Sequence, residues 1–461
     1  MLRAWVMRAF SRAVLAVFYR RVEIIGAEHV PAAGPLLVAA NHQNGLVDPM
    51  LLLAAVRRPL VPLAKATLFR HPVVAPFLWL AGAIPVHRRE DASDTAGLSP
   101  AQRNTDLFAR SIAALRGGRS IGIFPEGKSQ PEPVLLPLRT GAARLLLAAE
   151  TAAGGAVGVT LLPVGLIFHE PGVFRGGRAV VWIGPPVPTA DCVAVYRAEP
   201  ETAVRRLTDR LAVALRERMV EADDRVTLRL ARVVEAAWHE EAPGEEAAGA
   251  RAEFTQRVLR AYRYLRTVDA ARVERFRREV ERYAKDRELA GLSERHLSQR
   301  YTAATAWRYA AREGFSLLVG FPFAIVGGLI HALPYKATAL AVRAAGPDAD
   351  EQATYSIAAA MILFPLAWAP EAWLVRHFLG PVGLAVFLAA LVPSAFFAFT
   401  WRERLQRVGR EAQALARLLG HGDLARRFVR RRRALLDEME ALARLVPEEV
   451  MTAGRSPRPS S

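Results

Sequence analysis

The apolar run Pro35–Ala40 ends in Asn41-His42, and Asp48-Pro49 follows just before an apolar stretch with helical spacing. A histidine at a strand end with a carboxylate close behind suits general-base chemistry: the carboxylate fixes the imidazole tautomer and stabilises the imidazolium that forms. In that arrangement His42 abstracts a proton and Asp48 orients it. The same residues also fit a bland description, an Asp-Pro helix start beside an ordinary loop histidine. Three further segments run from a strand pattern into a turn: Gly82-Ala-Ile-Pro-Val-His-Arg88-Arg89, Phe124-Pro-Glu126-Gly127-Lys128-Ser129, and Leu162-Pro163-Val164-Gly165. Turns of this kind gather side chains and backbone N–H groups on one rim of an α/β sheet.

Two segments match other catalytic signatures by letter. Gly122 to Ser129, GIFPEGKS, fits the phosphate-loop pattern, but Ile123-Phe124-Pro125 prolong a strand, and Pro131, Pro133 and Pro137 oppose the helix such a loop requires. Gly118-Arg-Ser120-Ile-Gly122 fits the hydrolase elbow, yet a helix precedes it and a strand follows, the reverse of the order needed. The 10 histidines are scattered without a His-Glu-x-x-His, and a single cysteine leaves no thiolate pair, so no metal site is expected.

The elements that must position these residues can be read from the periodicity. Strand-like runs are Val22–Ile25, Pro35–Ala40, Leu60–Ala64, Ile84–Val86, Ser120–Phe124, Thr160–Phe168 and Ala179–Ile183. Helical patterns fall at Pro49–Val56, Val73–Leu80, Ala101–Leu115 and Gly141–Ala149. This alternation predicts an α/β domain with a largely parallel sheet over 22–198. Residues 1–21 interleave Arg3, Arg8 and Arg12 with Trp5, Phe10, Val14 and Phe18. That pattern predicts an amphipathic helix associated with a membrane surface, or one packed on the domain behind it. Residues 199–312 read as charged helices, and 402–461 as a basic helical tail, with Arg430 to Arg433, ending in a disordered composition.

The 461 residues hold 62 Lys plus Arg against 45 Asp plus Glu, a net charge of +17 that calls for a polyanionic partner. Over 313–401, the stretches Phe315 to Tyr335, Thr354 to Pro370 and His377 to Trp401 carry no charged residue. Lengths near 20 can span a bilayer core, and Trp368, Trp373 and Trp401 near the ends suit an interface. An anionic membrane, and not nucleic acid, is the expected partner. Arginine crowds both flanks, which places both in the cytoplasm and requires an even number of crossings. One run should therefore be re-entrant or interfacial, broken in the first run at Gly320, Pro322, Gly327 or Gly328, or in the second at Pro365 or Pro370.

The order Asn-His…Asp, Ile-Pro-Val…Arg, Phe-Pro-Glu-Gly…Ser and Pro-Val-Gly resembles the four blocks of the glycerol-3-phosphate and 1-acyl-sn-glycerol-3-phosphate acyltransferase family, over about residues 20 to 190. The resemblance implies acyl transfer from acyl-CoA or acyl-carrier protein, as co-substrate and with no resident cofactor, to a hydroxyl of a glycerol-phosphate or lysophospholipid acceptor. It implies His42 as general base and Asp48 as its partner, with Arg88 or Arg89 on the acceptor phosphate. Glu126 and Gly127 would shape the acceptor pocket, and Pro163 belongs to the fourth block. Two departures stand out. The family's usual His-x4-Asp would put the carboxylate at Val47, and the common Gly-Thr-Arg of the third block is Gly127-Lys128-Ser129 here. Lys128, one of only four lysines, stands where a phosphate-binding cation is useful. The expectation is a membrane enzyme of phospholipid synthesis with its catalytic domain on the cytoplasmic face. The alternative is a non-catalytic membrane protein that binds lipid or lysophospholipid.

Overall fold

The computed structural model describes residues 2–71, 74–86, 100–152, 157–169, 174, 177–241, 248–293, 303–420 and 422–452. They divide into two compact units, 2–224 together with 346–358, and 225–345 together with 359–452. The first unit contains a seven-stranded sheet among its described residues: β1 (Arg21–Ile25), β2 (Leu36–Ala40), β3 (Leu60–Lys65), β4 (Ile84–Val86), β5 (Ser120–Ile123), β6 (Thr160–Phe168) and β7 (Arg178–Ile183). The strand order is β1-β7-β6-β2-β5-β3-β4, with only the β6–β7 pair antiparallel. Parallel neighbours need crossover helices, supplied here by α2 (Val47–Ala55), α3 (Ala75–Ala81), α4 (Pro100–Arg116) and α5 (Gly141–Thr151). An α1 helix (Leu2–Phe18) precedes the sheet, and α6 (Ala190–Tyr196) and α7 (Pro200–Arg216) follow it.

Both faces of the sheet are covered, so its central strands are uniformly apolar. All five residues of β2 are buried, as are eight of nine in β6. Leu37 and Ala39 of β2 pack with Ile121 of β5, Leu161 of β6, Leu146 of α5 and Leu207 and Leu211 of α7. The α7 residues Val204, Leu207, Leu211 and Leu215 recur at the three- and four-residue spacing of one helical face. Each strand-like run of the sequence is a strand here. The Phe124–Ser129 segment forms a turn, and no helix begins until Gly141, while Ser120 opens a strand after α4. Neither the phosphate loop nor the hydrolase elbow therefore has its required setting.

The α1 helix packs on the domain. Arg8 donates to the Val56 and Arg58 carbonyls at 2.9 and 3.1 Å, and Arg12 to Ala54 O at 3.2 Å, which satisfies carbonyls at the end of α2. Phe10 stacks on Phe77 at 4.8 Å, while Leu2 and Trp5 stay exposed.

The second unit holds α8 (Arg225–Glu241), α9 (Ala248–Val268), α10 (Ala270–Leu289), α11 (Ala303–Ala345), α12 (Gln352–Gly420, of which 359 onward lies in this unit), α13 (Gly422–Ala443) and α14 (Glu448–Thr452). The charged helices pack through small apolar clusters such as Tyr283, Leu292, Ala414 and Phe428, and Arg272 forms a fork with Glu438. Among the described residues, two helices are long and apolar enough to cross a membrane, over Trp307–Ala345 and Gln352–Leu418. The helix break does not fall where the sequence suggested. Pro322, Pro365 and Pro370 lie inside continuous helix, and the chain kinks at Gly380 (φ 71°, ψ −168°). That conformation is open only to glycine, and Pro381 disfavours helix at the residue before it. Gly320 and Gly327 are packing positions: a Cβ there would lie 2.9 Å from the Trp401 ring and 2.7 Å from Ser394 O.

Gly165 of the fourth block has a similar steric reason in the first unit, since a Cβ there would lie 1.7 Å from the Arg218 carbonyl oxygen. Gly165→Ala should destabilise the domain by about 3 kcal/mol or prevent folding, because backbone cannot yield as a side chain does. A melting temperature within about 2 °C of wild type would contradict this close packing of the α7 end on β6.

Candidate active site

The chain leaving β2 crosses to β3 on the far side of β5, and the chain leaving β5 returns to β6 on the far side of β2. These two adjacent strands send their connections in opposite directions, which opens a crevice beyond their carboxyl ends. His42 follows β2 and Phe124 to Ser129 follow β5, so the first and third blocks meet at this crevice. Asn41 fixes the edge: its side chain donates to Leu166 O at 3.0 Å and accepts from Leu166 N–H at 2.7 Å, extending the β2–β6 ladder by one step.

Four contacts immobilise His42. Its Nδ1–H donates to Asp48 Oδ2 at 2.7 Å, and its backbone N–H donates to Glu126 Oε1 at 2.7 Å. Gln130 N–H donates to His42 O at 3.1 Å, and the Phe124 ring stacks on the imidazole at 4.2 Å. With Nδ1 committed as a donor, Nε2 is left as the proton-accepting nitrogen. The side chain of His42 is 17% exposed and that of Asp48 is 0% exposed, so the base reaches solvent while its partner does not.

Asp48 lies in the first turn of α2, whose cap position is Leu46. Its carboxylate turns back over the preceding loop, where Oδ2 also accepts the N–H groups of Gln43 and Asn44 at 2.7 and 2.8 Å. The Asp-Pro pair is therefore not a simple helix cap. Asn44 Nδ2 donates to the hydroxyl of Tyr19 at 2.7 Å, and burial raises the Tyr19 pKa. Tyr19 lies beyond any motif spacing, and no sequence signal marks it.

The remaining expected site residues fall in different places. Glu126 is buried and joins the first and third blocks, accepting from His42 N–H and, at 2.9 Å, from Leu136 N–H. Gly127 turns the chain at φ 75°, and a Cβ there would lie 2.6 Å from Arg139 Nε. Arg139, absent from the sequence reading, thus lays its guanidinium over the third block and donates its own N–H to Pro125 O at 2.8 Å. Lys128 is exposed. The Ser129 hydroxyl donates to Asp350 Oδ2 at 2.5 Å. Pro163 is buried in β6 opposite Ala39, and its carbonyl accepts from Gly184 N–H at 2.9 Å, so it serves the sheet. Arg88 and Arg89 lie outside the described residues. Among the described residues, no group of three or more His, Cys, Asp or Glu side chains could hold a metal ion.

Residues 21–167 match the family model described as Acyltransferase. The 1-acyl-sn-glycerol-3-phosphate acyltransferase of Borreliella burgdorferi is 29% identical over 174 residues, covering 38% of this chain and 64% of its own. The 1-acyl-sn-glycerol-3-phosphate acyltransferase alpha of Ovis aries is 27% identical over 175 residues, 37% of this chain and 55% of its own. Glycerol-3-phosphate O-acyltransferase 1 of Saccharomyces cerevisiae is 25% identical over 332 residues, 54% of this chain and 43% of its own. The chain spans about half the length of the curated relatives it matches. Among solved structures, the 1-acyl-sn-glycerophosphate acyltransferase PlsC from Thermotoga maritima matches with a TM-score of 0.33 and 22% identity, over 45% of this chain and 77% of that one. The resemblance carried by the four blocks is thus borne out for the segment that contains them.

Burial pushes the Glu126 pKa up from 4.5 to about 7, against the smaller opposing effect of the Leu136 and His42 N–H groups. A folded-state pKa above the unfolded value contributes stability that is present below about 4.5 and lost as pH rises through about 7. The stability of wild type relative to Glu126→Gln should therefore fall by about 3 kcal/mol between pH 4 and pH 8. Denaturant titrations of both proteins across this range check the sign. A difference that is flat or rises with pH would place Glu126 in a more polar setting than this one.

Proposed function

We propose that this chain is a membrane-bound O-acyltransferase that moves a fatty acyl group from a thioester, acyl-CoA or acyl-carrier protein, to a hydroxyl of a glycerol-phosphate acceptor in phospholipid synthesis. One observation carries the reading: an imidazole whose Nδ1–H is fixed on buried Asp48 at 2.7 Å, with Nε2 left to accept a proton, at the crevice of a segment that matches the Acyltransferase family model. In the reaction, the acceptor hydroxyl gives its proton to His42 Nε2 as its oxygen attacks the thioester carbonyl. The tetrahedral adduct collapses with breakage of the C–S bond. The thiol leaving group takes the proton back from the imidazolium, so an ester and a free thiol are the products and His42 returns to its starting state. Asp48 stabilises the transient imidazolium throughout. No serine or cysteine nucleophile, and no resident cofactor, takes part.

The acceptor phosphate falls to Arg88 or Arg89, with Lys128 assisting, since guanidinium and ammonium groups suit phosphate. Membrane attachment falls to α11 and α12. Phe315, Leu318, Leu329, Leu333, Phe378 and Val382 are all exposed on these helices, an apolar area that water disfavours and lipid accepts. The arginine-rich flanks favour the cytoplasmic side for the catalytic unit, where acyl donors are found.

Purified full-length protein with acyl-CoA and either glycerol 3-phosphate or 1-acylglycerol 3-phosphate should release free thiol and form the acylated product. His42→Ala should lower turnover about 10²–10⁴-fold with fold and membrane association unchanged. A folded variant that keeps more than about a tenth of wild-type turnover would remove His42 as the base. A wild type that binds lysophospholipid but transfers nothing would make the chain a lipid-binding protein.

The membrane reading has its own check. Tags at the amino terminus and after Ser461 should both resist an external protease in intact cells, as an even number of crossings requires. Cleavage of one tag alone would refute the even number of crossings, and cleavage of both the cytoplasmic orientation.

A further inference from the structure

The segment Gly346–Ala358, made of the link after α11 and the first turns of α12, belongs to the first unit. It is seated there: Ala353 and Ile357 are buried, although neither belongs to any of the four blocks. It meets the candidate site at two points. Thr354 Oγ1 accepts the Leu46 N–H at 2.9 Å, and Asp350 Oδ2 accepts the Ser129 hydroxyl at 2.5 Å. A Cβ on Gly45 would lie 2.5 Å from Thr354 Oγ1 and 2.9 Å from Asp350 O, so this segment lies directly against the loop between His42 and Asp48.

The first N–H groups of a helix have no partner within it, and a hydroxyl or carboxylate at the cap position normally supplies one. The cap residue of α2 is Leu46, which makes no side-chain cap bond, and Asp48 is occupied with the histidine loop. Thr354, 308 residues away in sequence, caps the helix whose first turn carries Asp48. Asp350 restrains the third block three residues beyond Glu126, the residue that holds the His42 backbone.

We propose that Thr354 and Asp350 are positioning residues for the His42–Asp48 pair: the link after α11 and the first turn of α12 clamp the loops that follow β2 and β5. Neither side chain touches the imidazole. Their effect is to hold α2 and the third block in the register at which Asp48 meets His42 Nδ1. The inference rests on the acyltransferase reading, and hydrogen exchange supplies a readout that does not depend on activity.

The experiment uses full-length protein in detergent micelles. It compares Thr354→Val, which keeps shape and loses the hydroxyl, with Thr354→Ser, which keeps the hydroxyl. It also compares Asp350→Ala, which loses the acceptor, with Asp350→Asn, which keeps an acceptor oxygen. Exchange at the peptide containing Leu46 should accelerate several-fold in Thr354→Val and return to wild type in Thr354→Ser. With acyl-CoA and 1-acylglycerol 3-phosphate or glycerol 3-phosphate, kcat should fall about three- to tenfold in Thr354→Val and Asp350→Ala, with KM for acyl-CoA unchanged and recovery in the conservative variants. Wild-type kcat in both disruptive variants overturns the proposal, whether or not exchange changes, since a bond that only stabilises the fold leaves kcat alone. Unchanged exchange in Thr354→Val overturns the clamp itself. Absence of transfer by wild type overturns the acyltransferase reading, and the exchange comparison still decides whether Thr354 caps α2.

Discussion

A carboxylate withdrawn from water has to find its donors inside the fold, and Asp48, with no solvent contact, finds three on a single oxygen. The imidazole of His42 and the N–H groups of Gln43 and Asn44 all point at Oδ2, so three consecutive residues wrap one atom. This fixes the path of the chain after β2: it must curl back over the first turn of α2. Gly45, at φ 38°, lets it do so. The extra residue between histidine and aspartate, relative to the usual family spacing, is absorbed in this curl while the ring stays 2.7 Å from the carboxylate. Phe124, Glu126 and Gln130 then address a group that is already in place.

The sheet was legible because strands buried on both faces read as unbroken apolar runs, and β2 and β6 are of that kind. The His42–Asp48 pair was legible because both residues lie on one short connection. What escaped the sequence came from other parts of the chain. Tyr19 reaches Asn44 from before the sheet, Arg139 covers Gly127 from beyond the turn, Asp350 arrives from the link between two apolar helices, and Thr354 from the first turn of the second. Single hydrogen bonds at large sequence separation have no period or spacing to betray them. Glu126 was noticed for its motif, but its task of anchoring the His42 backbone depends on which strand lies beside β2, and strand order is not written in the letters.

The apolar region shows the same division. Hydropathy reports length, so all three uncharged runs were visible, but it does not say which glycine breaks a helix and which permits close packing. Gly320 and Gly327 face the helix segment that carries Trp401 and Ser394, and their missing side chains make room for it. Trp401 Nε1–H donates to Leu317 O at 3.0 Å beside that contact. Gly380 has nothing within 4 Å of a notional Cβ, and there the chain kinks within α12. The distinction is one of neighbours, which only the folded arrangement supplies.

Charge around His42 is layered, and the layering bears on the proposed chemistry. Asp48 and Glu126 are both buried, and they differ in what they receive. Asp48 gathers three donors on one oxygen, whereas Glu126 has one backbone N–H for each of two oxygens and its pKa is pushed up to about 7. In the proposed reaction it is Asp48, bonded to Nδ1, that faces the charge forming on the ring, whereas Glu126 meets only the His42 backbone. The same negative charge opposes a phosphate-bearing acceptor brought to that ring. A phosphate-bearing acceptor would therefore call for a nearby cation, and Lys128 is exposed in the third block. Burial raises the Glu126 pKa and so lessens its negative charge near neutral pH, while Lys128 keeps its contact with water, which lessens the opposition that a phosphate-bearing acceptor would meet under the proposed chemistry.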